Sequence, residues 1–208
     1  MQRNNSNAPL KLSSEARSST TQANLSAILS TINRELFRQI ITAQLSGSAA
    51  LPHGLGLDNT TYNELLSIIN SPYLNKQEAN WQCSEQTPSH ERAAVYGELL
   101  DIKAEERNEL VTLLLDHSNE KELCAMQMAV VIATACLAQF HLWHSLGLSD
   151  RSQLGTLLKH NFPALHDQNN KNMRWKRFFY RCLCERGGDY LCRSPNCSAC
   201  SSYATCFV

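Results

Sequence analysis

The sequence predicts an all-α protein built as a single helical domain, and three observations carry that prediction. Apolar residues recur at intervals of three and four over most of the chain, the spacing of a buried helix face. No segment shows the sustained alternation, rich in β-branched residues, that is typical of a strand. The 208 residues are 43% hydrophobic and 18% charged, which suits one domain with a real core. We expect a disordered tail at 1–22, a helical body at 23–191 and a cysteine-rich metal-binding segment at 192–208.

The first elements follow from composition and periodicity. Residues 1–22 are polar and rich in Ser and Asn, too poor in apolar surface to offset the entropy of ordering. A helix is predicted next, with Gly47 as its stop. Its stripe consists of Leu25, Ile28, Leu29, Ile32, Leu36, Ile40 and Ile41. Asp58 or Asn59 can cap a second, short helix that ends before Pro72.

The remaining elements are read from caps and breakers. Residues 73–90 show little periodicity and predict a surface loop, and two longer helices are expected at about 91–116 and 120–145. Small residues in the second permit close helix contact. Gly147 ends it, and Ser149 can cap a helix that runs to about His160. Pro163 interrupts the chain before a last helix at about 172–185, which Gly187 and Gly188 close. HGLGLD (53–58) and HSLGLS (144–149) are similar to each other, and we interpret them as two helix-start segments.

Charge and hydropathy exclude some function classes. Nineteen basic and nineteen acidic residues cancel, so no global field favours nucleic acid or an anionic membrane. The most apolar stretch, Leu123 to Phe140, contains Gln127 and Gln139, and indicates a buried helix rather than a membrane span. The N-terminal residues lack the apolar core of a secretory signal. We therefore expect a protein of the reducing cytoplasm, where free thiols persist.

The strongest motif is a cluster of cysteines at the C-terminus. Six of the nine cysteines fall between Cys182 and Cys206, and the last four have the pattern C-x4-C-x2-C-x5-C within fifteen residues. Such short loops let four thiolates converge on one centre at little entropic cost. Clustering in a chain with an odd cysteine total favours metal over disulfides. The predicted ligands are Cys192, Cys197, Cys200 and Cys206.

The spacing alone leaves the metal open. Structural zinc sites more often use two separated C-x2-C pairs, and this segment has one. The C-x4-C-x2-C spacing also occurs in plant-type ferredoxins. Spacing therefore favours an iron–sulfur cluster and keeps zinc as the alternative, because thiolates suit both.

Three further features precede the motif. Cys182 and Cys184 stand two residues apart and do not share a helix face, so they are not expected to bind one metal together. Cys184 is a candidate additional ligand.

The run MRWKRFFYR (173–181) predicts an amphipathic helix whose cations could offset the negative charge of a thiolate cluster or hold an oxyanion such as molybdate. His141 and His144, three residues apart near a helix end, could approach one metal. Of the two, His141 is the stronger candidate ligand.

Several of these segments together resemble one protein family. The ending CRSPNCSACSSYATCF, the preceding NMRWKRFFYRCLCERGG, and HLWHSLGLSDRSQLGTLLKHNFP are similar to NifQ, a family of molybdenum-handling proteins of nitrogen fixation. The resemblance extends over residues 50–208, including LPHGLGL and AEERNELVTLLLDH.

The resemblance implies a more specific function than the cysteine spacing alone can indicate. NifQ-like proteins carry a molybdenum–iron–sulfur cluster and donate molybdenum to nitrogenase iron–molybdenum cofactor assembly, on the scaffold NifEN together with the iron protein NifH. By matching, Cys192, Cys197, Cys200 and Cys206 would bind the cluster. No nucleophile–base pair, phosphate loop or paired-carboxylate motif is present, so we expect a metal carrier rather than an enzyme. A zinc-stapled interaction module and an iron–sulfur electron-transfer protein are the alternatives.

Overall fold

The fold is helical throughout the part of the chain that the computed structural model describes, residues 29–69, 98 and 100–187. No strand occurs within these residues, so the predicted all-α class is confirmed. The elements are α1 Thr31–Leu45, a 3-10 helix His53–Gly56, α2 Asn59–Ile69, α3 Ala104–Leu115, α4 Ala125–Leu137, α5 Leu142–Ser145, α6 Arg151–Asn161, α7 Pro163–Gln168 and α8 Trp175–Gly187. The predicted tail at 1–22, loop at 73–90 and cysteine segment at 192–208 lie outside the described residues.

Helix α4 forms the centre of the core. Ten of its thirteen residues are buried, as its sequence of small and apolar residues requires. Ala129 and Ala133 are fully buried, and α4 packs against α3 and the 3-10 helix. Helix α8 packs on the α3 side, α1 packs against α2, and α6 against α7. Small side chains on α4 thus let its neighbours approach closely, as predicted.

In the first half of the chain, two helix ends are formed by predicted residues, Asp58 and Gly47, and a third by Ser30, which was not predicted. The Ser30 hydroxyl accepts from the Asn33 backbone N–H at 3.2 Å, and Asp58 accepts from the Thr61 backbone N–H at 2.9 Å. Gly47, two residues past α1, has φ +74, a left-handed conformation that favours glycine. The Asp58 cap and the Gly47 stop are therefore where the sequence predicts them. The start of the first helix differs, because α1 begins at Thr31, after the predicted stripe residue Leu29, and the stripe residue Ile32 is exposed.

The helix predicted at 120–145 is wrong in extent. Helix α4 begins at Ala125, ends at Leu137, and is followed by extended backbone at Ala138 (φ −71, ψ 160). A separate turn of helix, α5, begins at Leu142. The break contains neither glycine nor proline. Instead, the ammonium group of Lys176 donates to the Ala138 carbonyl at 2.6 Å, so a tertiary contact satisfies the carbonyl that the helix leaves behind.

Three other boundaries also differ from prediction. Helix α3 begins at Ala104, after a turn at Lys103 that separates it from helical residues at 100–102. Asp150, not Ser149, caps α6, accepting from the Gln153 backbone N–H at 2.8 Å. Pro163 starts α7 rather than merely interrupting the chain, because proline fits the first helical position.

No helix among the described residues is long and apolar enough to cross a membrane. The interpretation of the stretch Leu123 to Phe140 as a buried helix is confirmed for α4, ten of whose residues are buried. It is wrong for both ends of the stretch, because Leu123 and Phe140 are exposed.

Candidate metal centre

The described helix nearest to the cysteine motif is α8, which ends at Gly187, five residues before Cys192. The four predicted ligands Cys192, Cys197, Cys200 and Cys206 lie outside the described residues, and their role stays a prediction. Helix α8 forms because its aromatics share a face. Trp175, Phe178 and Phe179 are buried, with ring centroids 6.0–6.1 Å apart.

Two side-chain hydrogen bonds attach helix α8 to α3, one near the start of α3 and one just after its end. The Tyr180 hydroxyl donates to the Glu106 carboxylate near the start of α3. Near its end, the Arg186 guanidinium donates to Asp116 at 2.7 Å. These contacts, with the buried aromatics, hold α8 against the helical body.

Cys182 and Cys184 have different surroundings, as expected for residues two apart on a helix. Cys184 is 8% exposed, whereas Cys182 is half-buried and packs beside the core. Burial raises the pKa of the Cys182 thiol, and Glu185 acts in the same direction while Arg186 and Arg181 oppose it. Within the described part of the chain, no group of three or more His, Cys, Asp or Glu side chains could hold a metal ion. An additional ligand role for Cys184 stays a prediction.

The two histidines lie at the break between α4 and α5 rather than on one continuous helix. His141 caps α5 in an extended conformation (φ −59, ψ 143), and His144 lies within that short helix. Both are exposed. The His144 ring contacts Phe140 and Trp143, with centroid distances of 5.1 and 5.7 Å. The metal role of His141 stays a prediction.

The contacts of His141 are with basic groups. Arg174, the residue before α8, places Nη1 3.3 Å from His141 Nε2 and 3.5 Å from Nδ1. Desolvation lowers the pKa of His141, and Arg174, Lys176, His144 and Arg151 lower it further. Sequence reasoning named Arg174 as a potential cation for a cluster or oxyanion, but missed Arg151 and this partnership. The two segments are 33 residues apart, and no local pattern signals their contact.

Two other cysteines are core residues. Cys124 and Cys136 are fully buried. Burial raises the pKa of the Cys124 thiol to about 11 and that of Cys136 to about 12. Because the thiolate is the form that binds metal and reacts, these two thiols are poor ligand candidates.

Comparison with known proteins gives a consistent match. The NifQ family model matches residues 36–208. Protein NifQ of Azotobacter vinelandii is 42% identical over 175 residues, 84% of this chain and 88% of that protein. Protein NifQ of Klebsiella pneumoniae is 41% identical over 118 residues, 56% of this chain and 68% of its own length. No solved structure matches significantly.

Proposed function

The chain belongs to the NifQ family of nitrogen-fixation proteins, and from this premise we propose that it is the molybdenum donor for nitrogenase iron–molybdenum cofactor assembly. The observation that carries the proposal is the four-cysteine motif, which falls inside the matched residues 36–208. The function implied by the resemblance and the chemistry of four clustered thiols both favour a thiolate-ligated metal cluster.

We propose Cys192, Cys197, Cys200 and Cys206 as the ligands of an iron–sulfur cluster that receives molybdenum. The donor set fits, because thiolates are the usual ligands of iron–sulfur clusters and molybdenum is also thiophilic. Cations on and beside α8 support it further. Arg177 and Arg181 lie four residues apart on α8, and Arg174 directly precedes the helix; basic residues offset the negative charge of a thiolate-ligated cluster.

The mode of action is transfer rather than turnover. We propose that molybdate is the metal source, that NifEN and NifH are the recipients, and that the exchange takes place in the cytoplasm. The thiolate ligands can be exchanged with those of a partner, since soft donors on the partner compete for the same metals. The helical body, including the fixed helix α8, supplies the scaffold and the docking surface.

The test is the metal content of protein purified anaerobically from its native background. We expect iron, sulfide and molybdenum in the same chain, with zinc well below one equivalent. Stoichiometric zinc without sulfide would instead support a zinc-stapled module. Iron and sulfide that cycle reversibly between redox states, without molybdenum, would support an electron-transfer protein. Absence of both iron and molybdenum overturns the proposal.

Single Cys→Ala changes test the ligand assignment. Changing any one of the four terminal cysteines is expected to abolish molybdenum retention, because the centre loses one of its thiolate ligands. Cys83→Ala is the matched control, since Cys83 lies outside the motif, and it should leave metal content unchanged. If all four variants kept their metal, the assignment would be wrong.

A further inference from the structure

The segment around His141 brings basic side chains from three parts of the fold together. We define the His141 cluster as His141, His144, Arg151, Arg174 and Lys176. Its members come from the α4–α5 break and α5, the start of α6, and the start of α8. Among the described residues, the charged groups that shift the pKa of His141 are all basic. The protein as a whole has net charge +0, so this concentration of positive charge is local.

The backbone that presents Arg174 is held in place before any ligand arrives. Arg151 Nη2 donates to the Asn172 carbonyl at 2.7 Å and to the Met173 carbonyl at 2.9 Å. Asn169 closes the same loop, accepting from the Met173 N–H and donating to its carbonyl at 2.8 Å each. Asn172 itself has φ +51, a left-handed conformation that needs support in a non-glycine residue. The loop is therefore preorganised, which lowers the entropic cost of binding.

Arg174 and His141 meet in an arrangement that suits a shared ligand. The guanidinium Nη1 lies within hydrogen-bond distance of both ring nitrogens, 3.3 Å from Nε2 and 3.5 Å from Nδ1. Arginine is suited to oxyanions, because its planar fork donates two parallel hydrogen bonds. A neutral imidazole keeps one N–H donor, so His141 can donate to an anion without being protonated.

Lys176 adds a partly buried positive charge to the His141 cluster. Its ammonium group is largely desolvated, and burial lowers its pKa. It donates to the Ala138 carbonyl at 2.6 Å, the bond that accompanies the break between α4 and α5. A positive charge in a partly buried site is screened less than one in water. Lys176 thus both shapes the loop that carries His141 and contributes to the field around it.

We propose that the His141 cluster is a docking site for a tetrahedral oxyanion, with Arg174 and His141 as direct donors and Arg151 and Lys176 as supporting cations. The identification of that oxyanion as molybdate rests on the proposed function. Molybdate would bind here as the intact anion, upstream of the cysteine motif and without any change of oxidation state. The site therefore separates capture of the oxyanion from its later incorporation into a thiolate-ligated cluster.

The test is equilibrium binding of molybdate to the full-length protein by calorimetry in metal-free buffer. Arg174→Gln is expected to weaken molybdate binding about ten-fold, the loss of a charge-assisted hydrogen bond, and His141→Ala should weaken it in the same direction. Arg38→Gln is the matched control, because Arg38 is exposed on α1 and forms a pair with Glu35 there; its affinity should be unchanged. Helical circular dichroism checks that each variant is folded. Wild-type affinity in both Arg174→Gln and His141→Ala overturns the site.

Two further experiments test the oxyanion site independently of the proposed molybdenum-donor function. A full-length variant with all four terminal cysteines changed to Ser should still bind molybdate, with the same dependence on Arg174; loss of binding there overturns a separate oxyanion site. Sulfate, another tetrahedral dianion, should compete with molybdate but bind no more tightly, and the reverse order of affinity overturns the assignment to molybdate. If native protein lacked iron and molybdenum while Arg174-dependent binding persisted, the proposed function would fail and the oxyanion site would stand.

Discussion

Asn33 is a fully buried polar residue that links three parts of the fold. Its side-chain amide donates to Glu122 at 2.7 Å and to Asn161 at 2.7 Å, and Asn161 donates back at 2.9 Å. Its Nδ2 also lies 3.1 Å from the Cys124 sulfur. His160 Nε2 approaches the other Glu122 carboxylate oxygen at 2.7 Å, without hydrogen-bond alignment. Buried polar groups are costly unless they are paired, so this network depends on each of its members.

Asn33→Ala tests the network. The change removes a donor from the nearly buried Glu122 carboxylate and from Asn161, and leaving such groups unsatisfied costs about 3 kcal/mol in total. We expect the free energy of unfolding in urea to fall by that amount. Asn63→Ala is the matched control, since Asn63 is exposed on α2, and it should change stability by less than about 0.5 kcal/mol. Equal effects for the two variants would contradict the network.

At the scale of elements, the similar segments HGLGLD and HSLGLS each lead into a helix, as interpreted from the sequence. Each ends near an aspartate that caps the next helix, Asp58 for α2 and Asp150 for α6. In both, the glycine between the two leucines has positive φ, +81 at Gly56 and +70 at Gly147, a region that L side chains rarely adopt. A Cβ on Gly56 would stand 2.2 Å from Thr134 Oγ1 on α4. These glycines therefore allow both the positive φ of each turn and the close approach of the neighbouring helix.

Gly147→Ala should be strongly destabilising. Its added Cβ would lie 2.1 Å from the Ala43 Cβ on α1, and its backbone would be strained at φ +70. Strain and overpacking together predict a loss of about 3 kcal/mol. Gly155→Ala offers an internal comparison, because Gly155 lies within α6 and has open space; it should gain about 0.5–1 kcal/mol. Thermal unfolding of both variants measures the difference, and two changes of the same sign would contradict this account.

Local chemistry allowed the sequence to predict some elements and not others. The Asp58 cap, the Gly47 stop and the buried stripe residues Leu36, Ile40 and Ile41 depend on neighbouring residues, and these predictions are confirmed. The stripe residue Ile32 is instead 51% exposed, so that part of the prediction is wrong. The break after Leu137 was missed, because it is accompanied by a hydrogen bond from Lys176, 38 residues away. Ser149 and Asp150 are both competent caps, and only the backbone conformation selects Asp150.

At the scale of the whole molecule, the cysteines divide between the helical body and the terminal motif. The sequence can propose the terminal motif as a metal site because four thiols in fifteen residues form a local pattern, and that role stays a prediction. The His141 cluster was only partly predictable, because its members come from segments that fold together at a distance. Cys124 and Cys136 are in the core, so the protonation of their thiols is coupled to folding.

That coupling predicts a loss of stability at alkaline pH. Cys124 has a pKa near 9.0 in the unfolded chain and about 11 in the fold, so above pH 9 the unfolded state binds fewer protons than the native state. The stabilisation is complete below pH 9 and is lost as the pH rises toward 11, at up to about 1.4 kcal/mol per pH unit. Cys136 acts in the same direction, whereas the lowered pKa of Lys176 opposes it.

Cys124→Ala isolates the contribution of one thiol. The free energy of unfolding in urea, measured on metal-free protein between pH 8 and pH 11, should decline less steeply for Cys124→Ala than for the wild type. The difference in slope should be as much as about 1.4 kcal/mol per pH unit. At pH 8 the variant should nevertheless be less stable than the wild type, because a buried side chain has been shortened. If Cys124→Ala kept the wild-type slope, the buried thiol would not be the group that couples folding to alkaline pH.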